Sequence, residues 1–169
     1  TGFPASFNLN LVNGTNGFKI SDNVSVPRQF AYDVSDAGDI NGDGIDDLMI
    51  SDPYNNFNAL NYFAGKVYVI YGKNSAFSAN FDLSTLDGAN GFTILGKTYD
   101  EFFGYAISNI GDFNNDSFSD IAIVSANEGS GNMLKCYIVY GKNSNFPATI
   151  DIEQLTAANS FIIEGDEIG

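Results

Sequence analysis

The sequence predicts an all-β protein: a partial β-propeller with two complete blades of four antiparallel strands plus flanking strands. Three observations carry this. The run Asp39-Ile40-Asn41-Gly42-Asp43-Gly44-Ile45-Asp46-Asp47 returns 73 residues later (39 to 112) as Asp112-Phe113-Asn114-Asn115-Asp116-Ser117-Phe118-Ser119-Asp120. Two further anchors repeat around it. Gly17-Phe18-Lys19-Ile20 matches Gly91-Phe92-Thr93-Ile94, and Val69-Ile70-Tyr71-Gly72-Lys73-Asn74-Ser75 matches Ile138-Val139-Tyr140-Gly141-Lys142-Asn143-Ser144. Self-similarity at such a period marks solenoids, propellers or arrays. Finally, the apolar residues are dominated by Phe, Tyr, Ile and Val, which favour strands.

Each repeat holds four strand-like runs. In the first they fall at about 30–37, 47–51, 66–71 and 91–96, in the second at about 102–110, 120–125, 133–140 and 160–165. Val67 and Val69 alternate with Tyr68 and Ile70, so both faces of that strand are apolar and both must be covered. Short antiparallel strands stacked between similar neighbours describe a propeller blade. The boundaries expected are 1–29 for the last strand of a preceding blade and a linker, then blades at 30–96 and 97–165. Residues 166–169 begin a further repeat. The linkers repeat as Phe7-Asn8-Leu9, Phe81-Asp82-Leu83 and Ile150-Asp151-Ile152. Helical periodicity is weak; its best instance, Asp151–Leu155, reads as one turn in a linker. Propellers close with about four to eight blades, so further blades are expected from the same chain or from others. The start without Met also reads as a piece of something longer.

Composition excludes several functions. Net charge is −14, from 21 acidic and 7 basic residues, which disfavours nucleic acid and anionic lipid. Histidine is absent, removing the usual general base and the commonest transition-metal ligand. An enzyme is therefore not expected within these residues. Cys136 is the single cysteine, so no internal disulfide forms; it reads as a packed strand residue. No run is apolar and long enough to insert as a membrane helix.

The aspartate loops carry the chemistry. Asp39, Asn41, Asp43 and Asp47 occupy relative positions one, three, five and nine, as do Asp112, Asn114, Asp116 and Asp120. The carbonyls of Ile45 and Phe118 supply a backbone oxygen at position seven. Convergence of the three carboxylates within roughly 4–5 Å would cost on the order of 3–4 kcal/mol per like-charge pair at an effective dielectric near 20. A cation turns that repulsion into coordination. An all-oxygen set suits Ca²⁺ over Zn²⁺, and Mg²⁺ prefers to keep its water. Two Ca²⁺ sites are expected. Position twelve is Ile50 or Ile123, where an EF-hand has its bidentate Glu, so the site closes within a β-hairpin. In the second loop Ser117 replaces the turn glycine.

These residues resemble the FG-GAP repeat, the blade unit of integrin α-subunit propellers and their bacterial relatives. The resemblance rests on Gly38-Asp39-Ile40-Asn41-Gly42-Asp43-Gly44 with Asp47-Leu48, on Ser51-Asp52-Pro53, and on Gly65-Lys66-Val67-Tyr68-Val69. In the second copy it rests on Phe103-Gly104, on Gly111-Asp112 through Asp120-Ile121, and on Ser125-Ala126-Asn127. Phe30-Ala31 departs from the family's Phe-Gly, and neither turn is Gly-Ala-Pro. The resemblance implies a calcium-stabilised propeller for adhesion or recognition, extracellular or at the cell surface. It also implies a protein or glycan ligand on the face opposite the calcium loops, at about 22–29, 52–65, 97–101 and 126–132. Tyr54, Phe57, Tyr62 and Phe63 there are either interface anchors or packing against the neighbouring blade. Two other readings are an accessory propeller of a larger surface enzyme, and a structural protein whose blades complete a ring or filament between chains.

Overall fold

The computed structural model describes residue 6 and residues 8–22, 30–56, 63–126 and 134–165. Each strand anticipated from the repeat pattern forms. In chain order they are β1 (Lys19–Ser21), β2 (Val34–Gly38), β3 (Asp47–Asp52), β4 (Lys66–Ile70), β5 (Asn80–Asp82), β6 (Gly91–Leu95), β7 (Ala106–Gly111), β8 (Asp120–Ala126), β9 (Leu134–Val139), β10 (Thr149–Asp151) and β11 (Ser160–Glu164). The helical pieces among these residues are single 3₁₀ turns at Leu9–Leu11, Leu83–Thr85 and Ile152–Gln154. The last begins at the linker turn expected there and carries a complete capping box between Asp151 and Gln154. No helix of the described residues is long and apolar enough to cross a membrane.

The chain divides into two compact units. The first comprises Thr1–Ser25 and Lys73–Thr85. In it β1 and β5 pair in parallel, Ile20 opposite Phe81, and Phe18 stacks on Phe77 with ring centroids 4.3 Å apart.

The second unit comprises Val26–Gly72 and Leu86–Gly169 and holds two sheets. One has the order β10-β6-β4-β3-β2 and the other β11-β9-β8-β7. Strands β2, β3, β4 and β6 run antiparallel to one another in succession, as do β7, β8, β9 and β11. These are two propeller blades, and β10 adds a short parallel strand along the outer edge of the first. Each blade has a register shift at the same place, between Asp36 and Gly38 and between Asn109 and Gly111. Gly38 and Gly111 take positive φ there, of 57° and 70°. A bulge of this kind bends the strand into the following loop.

Both-sided burial holds for β4. Val67 and Val69 enter a core shared with Ala37, Met49, Phe92 and Ile94 on the first blade and Phe103, Ile107, Ile121, Ile123, Tyr137 and Val139 on the second. Tyr68 and Ile70, pointing the other way, are buried too. Polar ties run along this seam. Asp33 accepts a hydrogen bond from the Ile107 amide at 3.0 Å. The amides of Phe102 and Phe103 donate to the carbonyls of Phe63 and Ala64. Gly65 lies against Phe103 so closely that a Cβ would meet its main chain. Ala31, which departs from the family's glycine, keeps a left-handed backbone with φ of 57°, as does Gly104 at 89°. The turn shape survives the substitution.

Phe103 is fully buried at the centre of this seam, with its ring 5.5 Å from that of Tyr137. Phe103→Ala is expected to lower unfolding free energy by about 3–5 kcal/mol. Denaturant unfolding checks this.

Candidate metal loops

The two aspartate loops connect β2 to β3 and β7 to β8, and they fold alike. In the first, Asp39 accepts hydrogen bonds from the amides of Asp43 (2.9 Å) and Gly44 (2.8 Å). Asn41 accepts from the Asp43 amide at 2.9 Å, and Asp43 from the Ile45 amide at 2.9 Å. In the second, Asp112 accepts from Asp116 and Ser117, both at 2.9 Å. Asn114 accepts from Asp116 at 3.0 Å, and Asp116 from Phe118 at 3.0 Å. Short polar side chains favour such local bonds to backbone amides. Here they set the oxygens of positions one, three and five around one turn.

The aspartate at position nine is placed differently. Asp47 and Asp120 open β3 and β8 and are buried. One oxygen of each reaches back to the loop: Asp47 accepts from the Ile40 amide at 3.2 Å, and Asp120 from the amides of Phe113 at 2.8 Å and Asn114 at 3.2 Å. The other oxygen reaches across to the end of the third strand, accepting from the amide of Gly72 or Gly141 at 2.8 Å. The repeated Tyr-Gly-Lys-Asn-Ser run therefore has a use that spacing alone did not disclose: its glycine amide caps the buried carboxylate. Burial pushes the Asp47 carboxyl up to about 7, and the charges of Asp43 and Asp39 add to the rise, while the two backbone donors hold it down. Without a cation, that contribution to stability is present below the ordinary carboxyl value near 4 and is lost as pH rises through about 7.

The expected convergence of Asp39, Asp43 and Asp47 is not seen as a ready-made cluster. Among the described residues, no three carboxylate, imidazole or thiol groups stand close enough to hold an ion as they are. The carboxylates are turned onto backbone donors instead, which offsets their mutual repulsion. The donor chemistry still fits a hard cation. Five oxygen-bearing positions recur in order on one loop, and each carboxylate oxygen bonded to one amide retains acceptor capacity.

Ser117 and Asn115 take φ of 77° and 62°, where the first loop has Gly44 and Gly42 at 85° and 75°. The second loop keeps the shape at a conformational cost the first avoids. The two loops also meet: the Ser119 amide donates to the Asp39 carbonyl at 3.2 Å, and the Phe118 ring covers Gly42.

On the proposed ligand face, Tyr54 and Phe63 are brought together. Their ring centroids lie 5.8 Å apart, and both bear on Phe102, at 5.4 and 5.5 Å. Tyr32 and Tyr105 extend the cluster; nothing in the repeat pattern marked them. Phe57 and Tyr62 lie outside the described residues, as do parts of the loops expected at 22–29, 52–65 and 126–132. The 97–101 loop borders a groove of about 650 Å³ with Tyr99, Lys97, Glu153 and Lys135 around it. Glu101, at its base, is buried and accepts from Lys97, Thr98 and Tyr137. Cys136 is half-buried in β9, and burial pushes its thiol up.

Ser117→Gly is expected to stabilise the protein by up to about 1 kcal/mol, by removing a side chain from left-handed backbone. Gly44→Ser should cost a similar amount. Paired thermal melts in chelator check both.

Residues 32–70 match the FG-GAP repeat family. The chain is 32% identical to integrin alpha-6 of Gallus gallus over 106 residues, covering 63% of this chain and 8% of that protein. It is 32% identical to integrin alpha-6 of Homo sapiens over 122 residues, 72% of this chain and 10% of the relative. With human integrin alpha-7 it shares 28% identity over 140 residues, 83% of this chain and 10% of the relative. The chain thus spans about a tenth of the length of these relatives. Two successive blades, each built around the repeat's aspartate loop, and these similarities place the chain in the FG-GAP repeat family, with integrin α-like propeller blades.

Proposed function

We propose that this chain is a non-enzymatic, calcium-binding propeller segment that serves adhesion or protein recognition outside the cell. One observation carries the calcium reading: two loops 73 residues apart (39 to 112) fold with the same hydrogen bonds around the same oxygen donors. Asp39, Asn41, Asp43, the Ile45 carbonyl and Asp47 would hold one ion. Asp112, Asn114, Asp116, the Phe118 carbonyl and Asp120 would hold the other. Calcium here is structural. It offsets the repulsion between carboxylates that now lean on amide donors, and so pins each β-hairpin.

The adhesion reading is supported by similarity to integrin α chains. The absence of histidine supports a non-enzymatic role. A protein or glycan ligand would meet the face opposite the loops, where the Tyr54–Phe63 cluster and the groove beside Tyr99 offer aromatic surface. Aromatic side chains are favoured anchors at such surfaces.

Isothermal titration calorimetry with calcium is expected to show two sites, with dissociation constants near 10⁻⁴–10⁻³ M as in extracellular modules. Asp43→Asn should remove one site and Asp116→Asn the other. Calcium at about 100 times the dissociation constant should add about 2.7 kcal/mol of stability per site. Absence of binding heat at millimolar calcium would reduce the loops to polar turns.

A further inference from the structure

The two aspartate loops share a peptide unit. The Ser119 amide donates to the Asp39 carbonyl at 3.2 Å. In a trans peptide the N–H and the preceding C=O point in opposite directions, so the Phe118 carbonyl is turned away from the first loop. That carbonyl is the backbone oxygen proposed above for the second ion. One peptide further on, the Asp39 carbonyl and the Ile40 amide are joined in the same way, and the Ile40 amide donates to Asp47 Oδ2 at 3.2 Å. A continuous line of two peptides and two hydrogen bonds therefore runs from the Phe118 carbonyl to the Asp47 carboxylate. Its two ends are proposed ligands of different ions.

This line is held on several sides. The Phe118 ring lies over Gly42, where a Cβ would collide with it. Ser119 fills the space beside Gly38, where a Cβ would collide with its hydroxyl. Behind them the Lys142 amide donates to the Ile40 carbonyl at 3.0 Å, and the adjoining Gly141 amide donates to Asp120 at 2.8 Å. A second backbone connection thus links the first loop to a carboxylate of the second. Phe118 itself is held in its own loop by its amide, which donates to Asp116 at 3.0 Å. Its ring and the amide that follows it serve the other loop.

Resting on the calcium reading above, we propose that the two loops bind their ions cooperatively, with the Phe118–Ser119 peptide as the coupling element. An ion on the Phe118 carbonyl fixes that peptide, and with it the Asp39 carbonyl and the cover over Gly42. The first loop is then ordered before its own ion arrives, and that ion meets a smaller ordering cost. Polarisation acts in the same direction. A carbonyl drawn towards a cation makes the N–H of its peptide a stronger donor, and bonds in a chain reinforce one another. Charge opposes the coupling, because each bound cation weakens the acidic field that attracts the next. Salt at about 0.15 M screens exposed charges beyond about 8 Å, which leaves the backbone line in control. Such coupling is reciprocal: each ion raises the affinity for the other by the same factor. Phe118 is therefore a positioning residue for the first site as well as a backbone ligand of the second.

Calcium titration followed by NMR of the backbone amides, at about 0.15 M salt, tests this. The Gly44 and Ser117 amides donate to Asp39 and Asp112 and report on the two loops separately. In the unaltered chain both signals are expected to move together. Asp116→Asn keeps an oxygen to accept the Phe118 amide but removes the second site. It is expected to raise the calcium midpoint at Gly44 about fivefold or more, and Asp43→Asn to raise the midpoint at Ser117 by the same factor. Phe118→Ala keeps both sets of oxygens and takes the ring off Gly42. In that background Asp116→Asn is expected to shift the Gly44 midpoint by about twofold or less. General weakening of the fold would lower both affinities without changing how one loop responds to the other. A Gly44 midpoint indifferent to Asp116→Asn would overturn the coupling and leave the calcium reading intact. Absence of any shift at either amide in millimolar calcium would overturn both.

Discussion

A buried carboxylate at the start of the second strand of each blade organises the rest. Asp47 and Asp120 stand where three pieces of chain must meet: the loop from the first strand, the second strand itself, and the turn leaving the third. Each piece arrives with backbone amides that need an acceptor once water is excluded. A single carboxylate provides two oxygens and so satisfies amides from both sides. Charge-assisted bonds of this type are stronger than neutral ones, and removing the acceptor would leave several donors buried together. The hairpin, the bulge before it and the Tyr-Gly turn then follow as one unit.

From that anchor the blade seam becomes intelligible. The loop it holds carries Ile40 into the core and offers the Ile40 carbonyl to the Lys142 amide. Gly42 and Gly72 stay without side chains because neighbouring chain fills the space. The loops are thus part of how one blade rests on the next, as well as candidate ion sites. Pinning a hairpin and setting the pitch between blades are the same act.

Much of this was legible in the sequence, because repetition and alternation report directly on strands that are covered on both faces. Val67 to Ile70 announced a doubly buried strand, and Asp151–Leu155 announced a linker turn, whose capping by Asp151 only the structure discloses. Three kinds of feature were hidden. The parallel strands β5 and β10 are only three residues long, too short for a period to declare itself. Left-handed backbone at Ala31 and Ser117 follows the fold against residue preference, so composition points away from it. The direction of each carboxylate is the third. Spacing identified Asp39, Asp43 and Asp47 as partners, but each oxygen is aimed by the amides around it. Only Asp47 and Asp120 reach past their own loop.

The most direct test compares two substitutions in the second loop with calcium removed. Asp120→Asn replaces an acceptor oxygen facing backbone amides by a donor, whereas Asp116→Asn alters an exposed loop position. In chelator, Asp120→Asn is expected to lower unfolding free energy by on the order of 3 kcal/mol, with Asp116→Asn close to neutral. Equal stability of the two variants in chelator, with a difference emerging only when calcium is added, would contradict a structural role for the buried carboxylate.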